Sequence, residues 1–378
     1  MRIRNALVYG VDRQFHEETI CIRQGLFVPE DGAPDEQEID ASGCYALPGL
    51  IDIHFHGAMG ADVCDGTMEA YETVARYELQ HGITSMCPAT LTLPEEVLCG
   101  VLFTGALFAK REEQDMARLV GFNMEGPFIS HVKKGAQNEA YIRSCDAAMV
   151  RRFLDASEGL LKIIGLAPEI NPEFVPYIAK VKEFVKVSLA HTDTDYATAM
   201  EAFTAGASHV VHLYNAMRGL HHREPGLVGA AADARATCEL ICDGIHVHPA
   251  AVRAAYDMMG PERIILISDT LRCTGMEDGI YDLGGQAVSK KGPYCNLVEE
   301  GNVAGSVSNL FDCLRNAVLT MEIPLEQAVA SATILPARCI GEDDRIGAIA
   351  DGMLGDLILV RKSDFSLQQV IKGGNLAK

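Results

Sequence analysis

His54 and His56 close an apolar run, LPGLIDIHFHG, with a single residue between them. Residues two apart on a strand project to the same side, so both imidazoles of such a pair can grip one ion. Other ionisable residues stand at or near the ends of further apolar runs. Glu125 lies in RLVGFNMEGPF, His191 in FVKVSLAHT, His212 in SHVVHLYNAM and Asp269 in RIILISDT. Four imidazoles and two carboxylates make an N/O ligand set suited to zinc, iron or manganese. A lone H-x-H step is as readily a pair of hydrogen-bonded core histidines; suitable ligands at four further run ends turn the reading towards a metal centre.

For these residues to meet, the runs must be strands of one barrel. From Leu47 onward compact apolar runs alternate with segments of helical period: the five runs above and GITSMCPATL, LKIIGLAPE and CELICDGIHV, each followed by helix-compatible sequence. Eight strand–helix units over about 250–300 residues predict a (β/α)8 TIM barrel, whose C-terminal strand ends converge on one face. The barrel is expected over residues 48–345. The first 47 residues read as short antiparallel strands, and residues 346–378 return to the same texture. Both chain ends are therefore expected to form one small β-sandwich.

Composition narrows the function class. The formal net charge is -20 over 378 residues and there is no Lys/Arg run, which argues against nucleic acid. No apolar stretch approaches the roughly 18 residues that span a bilayer, and the N-terminus lacks a signal-peptide core, so a cytoplasmic protein is expected. Twelve cysteines are scattered without a C-x-x-C pair and read as free buried thiols.

The string PGLIDIHFHG, followed in order by MEGPF, LAPE, AHTDTDY, HLYNAM, REPGLVGAA, DGIHVHP, SDT and GS, resembles the N-acetylglucosamine-6-phosphate deacetylase branch of the amidohydrolase superfamily. The H-x-H and the final aspartate point only to the superfamily; EGPF, HLYNAM, REPGL and DGIHV together point to the branch. The resemblance implies roles for the matching residues. Glu125, His191 and His212 correspond to the ligands of the better-kept metal position. His54 and His56 correspond to ligands of a second ion, with Glu125 as the bridge and a binuclear site favoured over a single ion. Asp269 corresponds to the catalytic aspartate, able also to contact metal. It takes a proton from the attacking water and returns it to the leaving nitrogen.

Substrate contacts are carried over in the same way. Asn215 and the adjacent backbone of Ala216 correspond to phosphate contacts, Arg223 to an arginine that grips phosphate across a dimer interface, and His246 to a sugar-phosphate contact. Gln137 stands where one-metal members carry a histidine; an amide donates a hydrogen bond but carries no charge. His221 and His222 are not explained by the motif. The implied substrate is a small amino-sugar phosphate, N-acetylglucosamine 6-phosphate, and the implied assembly a homodimer. Three alternatives stay open: the galactosamine isomer as substrate, another amidohydrolase of the dihydroorotase or hydantoinase type, and a catalytically silent sugar-phosphate sensor. The second normally bridges its metals with a lysine, where this chain offers Glu125.

Overall fold

The computed structural model describes residues 1–30, 37–111 and 113–377. Each of the eight apolar runs contains a parallel strand. In chain order these are Leu50–Asp52, Ile83–Met86 continued by Ala89–Thr90, Phe122–Phe128, Leu161–Leu166, Lys186–Leu189, His209–Val210, Thr237–Ile241 and Ile264–Ile267. Successive members pair in parallel from the first to the eighth, giving a curled sheet of the TIM-barrel type. The second strand breaks at Pro88, which has no N–H to donate to a ladder; its first half pairs with the first strand and its second half with the third. At the mouth, Asp269 N–H donates to His54 O (2.9 Å) and His56 N–H to Thr270 O (2.8 Å), bringing the eighth strand's end against the first's.

Runs such as IILI are buried at every position, as expected for strands covered on both faces. The covering helices start at side-chain caps. Thr67 accepts from Ala70 N, Asp195 from Thr198 N and Asn309 from Asp312 N, each satisfying an otherwise orphaned first-turn donor. One continuous hydrophobic cluster links these helices to the strands.

Both chain ends contribute to a single eight-stranded sheet. Arg2–Tyr9 lies at its centre and pairs antiparallel with Phe15–Arg23, as the turn-rich N-terminal texture predicts. Its other edge is shared by Glu38–Asp40 and Cys44–Pro48, and both of these pair in parallel instead. Its pairing with Phe15–Arg23 shifts register between Ile3 and Ala6, where Asn5 takes a positive φ of 65°. The C-terminal Leu357–Arg361 joins through Cys44–Pro48, antiparallel.

One element departs from the expected strand–helix alternation. After the eighth strand the chain makes a three-stranded antiparallel sheet, Gly279–Leu283, Gln286–Lys291 and Tyr294–Leu297, before the next helix at Leu310–Leu319. Its signal was present: Gly284–Gly285 between two alternating runs is a two-residue hairpin turn, both glycines at positive φ. All twelve cysteines are free thiols, and no described helix is long and apolar enough to cross a membrane.

Candidate active site

The ionisable residues meet at the C-terminal mouth of the barrel. Glu125 lies within the third strand, while His191, His212 and Asp269 sit two residues past the fifth, sixth and eighth strands. These three have positive φ values of 44°, 27° and 54°. Non-glycine residues hold that conformation only when their surroundings impose it, and such strain concentrates at functional sites. It turns each side chain off the strand direction and into the mouth. Gly165 on the fourth strand lets the Glu125 carbonyl lie where a side chain would otherwise be.

Glu125 is the hub. Its Oε1 lies 2.6 Å from His191 Nε2 and 2.7 Å from His212 Nε2. His54 Nε2 is 3.7 Å from the same oxygen, and His56 Nε2 is 3.6 Å from Oε2. Asp269 Oδ1 faces the H-x-H pair from the other side, 3.4 Å from His56 Nε2 and 3.7 Å from His54 Nε2. Among the described residues, two groups have the spacing of an ion site, His54–His56–Glu125 and Glu125–His191–His212, sharing the glutamate. The outer nitrogens of the rings are all engaged: His54 Nδ1 with Glu239 Oε2 (2.8 Å), His56 with Ala89 O (3.2 Å), His191 with Lys133 O (2.7 Å) and His212 with Asn215 O (3.2 Å). Donation outward at Nδ1 leaves the Nε2 lone pairs directed inward.

A cavity of about 290 Å³ opens over this cluster. Its walls include His56, Glu125, His191, His212 and Asp269, together with Gln137, Asn215, Ala216 and His246. Its volume is near the lower end of the range for small-molecule sites. The segment following the antiparallel insertion, Asn302–Gly305, forms part of the rim.

The profile of the amidohydrolase family matches residues 45–377. The chain is 35% identical over 348 residues to the N-acetylglucosamine-6-phosphate deacetylase of Bacillus subtilis, covering 91% of this chain and 87% of that protein. The chain belongs to the amidohydrolase family. A relative named N-acetylgalactosamine-6-phosphate deacetylase, from Escherichia coli, is 34% identical over 331 residues, covering 87% of each chain. Among solved structures, a mutant N-acetyl-D-glucosamine-6-phosphate deacetylase from Mycobacterium smegmatis, in complex with N-acetyl-D-glucosamine-6-phosphate, superposes with a TM-score of 0.92 at 28% identity. That match covers 100% of this chain and 99% of the other. The Pasteurella multocida N-acetylglucosamine-6-phosphate deacetylase gives 0.92 at 26% identity, covering 99% and 98%.

Amidohydrolases are metal-dependent hydrolases, and the geometry of this chain fits that requirement. His54 Nε2 is fully buried and has no hydrogen-bond partner. His191 Nε2 and His212 Nε2 lie 3.2 Å apart against one carboxylate oxygen. Two lone pairs so close to an anion call for a cation between them. Burial disfavours the His54 imidazolium, but Glu239, with Glu125 and Asp269, outweighs it and pushes the pKa up to about 10. Burial also works against His56 and His191, and again the carboxylates prevail: Asp269 and Glu125 raise the first, Glu125 the second. With its pKa at about 10, His54 holds its proton at neutral pH and must release it to a metal. Adding zinc to chelator-stripped protein at pH 7 in weak buffer is therefore expected to acidify the solution, read with a pH indicator. Uptake without acidification would show these imidazoles to be neutral already.

Other sequence-predicted residues of this amidohydrolase are placed as follows. Gln137 accepts from Thr92 N at 2.7 Å and donates to Glu125 Oε2, so its amide is tied to the hub while lining the cavity. His246 is held between Asp243 Oδ2 (2.7 Å) and Ala304 O (3.0 Å). Burial disfavours its charged form, yet Asp243 outweighs burial and raises its pKa. Arg223 is not brought to the cavity of its own chain. It is exposed on the loop after the sixth strand, its Nη1 donating to His222 Nε2 at 2.7 Å. This partly accounts for His222; His221 Nδ1 lies 3.4 Å from Arg223 N.

Two cavity or support residues were not singled out from the sequence. Lys133 lines the cavity, its ammonium 3.5 Å from Asp193 and its carbonyl on His191. The KKG step before Gln137 was its only signal. Glu239 sits inside the seventh strand, where a charged residue flanked by CELI is itself unusual.

Proposed function

We propose that this hydrolase removes the acetyl group of N-acetylglucosamine 6-phosphate, releasing acetate and glucosamine 6-phosphate. The observation that carries the reading is a cavity that presents Asp269, His56 and the Glu125–His191–His212 group, with Asn215 and His246, to one small molecule. Similarity to deacetylases over about nine-tenths of the chain supports it.

Glu125, His191 and His212 would hold one divalent ion, and His54 and His56 with Glu125 a second; zinc, iron and manganese all suit this donor set. A bound ion supplies acidification of water and polarisation of the amide carbonyl. Asp269 accepts the proton of the attacking water at its carboxylate and delivers it to the departing nitrogen, so that amine rather than amide anion leaves. In the metal-free chain burial raises the Asp269 pKa, but His56 and His54 outweigh it and hold it below the usual range. Asn215 and the Ala216 backbone orient the phosphate and His246 the sugar, while Leu91, Leu271 and Leu283 along the cavity wall limit water.

The phosphate also needs a fixed cation. Arg223 is exposed and lies outside its own cavity, so in this reading it serves a second copy of the chain in a homodimer. Its planar fork suits bidentate phosphate recognition. Arg223→Ala is expected to raise KM for the phosphorylated substrate roughly 10–100-fold, the loss of a charge-assisted contact, with kcat changed far less. An equal loss with an unphosphorylated analogue would remove Arg223 from phosphate binding. In this reading the reaction takes place in the cytoplasm, where a phosphorylated sugar, unable to cross a membrane unaided, is retained. In the same reading residues 48–345 are the catalytic unit, and 1–47 with 346–378 the supporting one.

The galactosamine isomer is the second reading, favoured by the 34% identity to a deacetylase of that sugar. Acetate release from both N-acetylhexosamine 6-phosphates and from unphosphorylated N-acetylglucosamine decides between them. A preference for one phosphosugar names the substrate. No release from any, with metal bound, would overturn the deacetylase reading in favour of a silent sugar-phosphate sensor.

A further inference from the structure

Glu239 is fully buried inside the barrel, on the seventh strand, and the reaction as described makes no use of it. Its carboxylate is saturated by four donors. Oε2 takes His54 Nδ1 (2.8 Å) and the His212 backbone N–H (3.1 Å); Oε1 takes His209 Nε2 (3.0 Å) and Asn123 Nδ2 (3.0 Å). Asn123 is fixed in turn by Ile53 O (3.0 Å) and His209 by Thr237 Oγ1 (2.7 Å). Such a carboxylate cannot swing, and no water can replace its partners.

Among the four imidazoles of the two ligand groups, His54 alone meets a carboxylate at Nδ1; the others meet backbone carbonyls. It is also the ring whose Nε2 is buried without a hydrogen bond, facing Glu125 and Asp269 at 3.7 Å. An anionic acceptor at Nδ1 holds one proton there, so that the nitrogen given up to a cation is Nε2, and makes that nitrogen a stronger donor to it. We propose that Glu239 is the positioning residue that builds the His54–His56–Glu125 ion position, selectively over Glu125–His191–His212. Its bond to His212 runs to the backbone, whereas the His212 ring is oriented by Asn215 O, so the other position keeps its own support. The inference rests on the two-ion reading. The competing account makes Glu239 and His209 a buried structural pair with no bearing on metal.

The test is zinc binding to chelator-stripped protein, with ions per chain and both affinities read by metal analysis and chelator competition. Wild type is expected to take two ions. Glu239→Gln keeps the shape and loses the charge; Glu239→Asp keeps the charge and withdraws it by one methylene. Both are expected to retain the ion at Glu125–His191–His212 with near-wild-type affinity and to weaken the second about 10–100-fold. In a His56→Ala background, which dismantles the second position, Glu239→Gln should cost no further zinc. Two unchanged ions, or equal weakening of both, would overturn the proposal. Failure of both variants to fold, judged by circular dichroism, would also overturn it by assigning Glu239 to core stability. A wild type that binds one ion defeats the two-ion reading itself, which the wild-type titration shows by itself.

Discussion

Asp269→Asn is expected to lower kcat by about 10²–10⁴-fold, the range associated with a lost general acid–base group, while metal content stays close to wild type. The substitution is nearly isosteric and the backbone is pinned on both sides: Asp269 N–H donates to His54 O at 2.9 Å, and its carbonyl accepts from Ser306 N at 2.7 Å. The positive φ of 54° is also tolerated by asparagine better than by most residues. The side chain therefore stays at the cavity wall, beside His56, and loses only its capacity to take a proton. The Glu125–His191–His212 group does not include Asp269, so its ion is retained. Steady-state kinetics and metal analysis on one preparation check the result. Turnover within a few-fold of wild type would remove Asp269 from the chemistry, and loss of metal with loss of turnover would make it chiefly a ligand.

Glu125→Gln is expected to have the other large effect, on metal and stability together. Glu125 belongs to both ligand groups, so its loss should strip both ions and reduce activity to background. In the metal-free chain burial works against its charge, but His191, His212 and His54 outweigh it and hold the carboxyl well below the usual range. Removing one partner of such a buried pairing costs about 3–5 kcal/mol, because the other charges remain without their counter-charge. The metal-free variant should thus melt well below metal-free wild type. Added zinc, which raises the Tm of wild type by binding only the folded state, should move the variant little. An unchanged metal-free Tm would mean that the imidazoles shed their protons when Glu125 is neutral. Retention of two ions would break the bridging role.

Much of this site was legible before any coordinates, for a geometric reason. A parallel barrel sends every strand's C-terminal end to one face, so ionisable residues at the ends of separate apolar runs necessarily converge. His54, His56, Glu125, His191, His212 and Asp269 could be gathered from their places in those runs, and the structure brings them within ion-binding or ion-pairing distance of one another. The antiparallel insertion at Gly279–Leu297 was hidden because eight strand–helix units leave no place for it; Gly284–Gly285 announced a hairpin that the periodicity of the whole overrode. Parallel pairing of Cys44–Pro48 with Arg2–Tyr9 was hidden because a strand's partner and direction depend on contacts distant in sequence.

Residue types and spacing by themselves determined the run of parallel strands and which histidines and carboxylates stand at their ends, since these follow from local periodicity. Only the tertiary structure decided which ring nitrogen points inward, because that depends on the acceptor at the far nitrogen: Glu239, Ala89 O, Lys133 O or Asn215 O, supplied by other segments of the chain. It also decided that Gln137 is tied to Glu125 and that Arg223 stands outside its own cavity. An arginine on a loop carries the same charge wherever the loop goes; its function depends on where the fold leaves it.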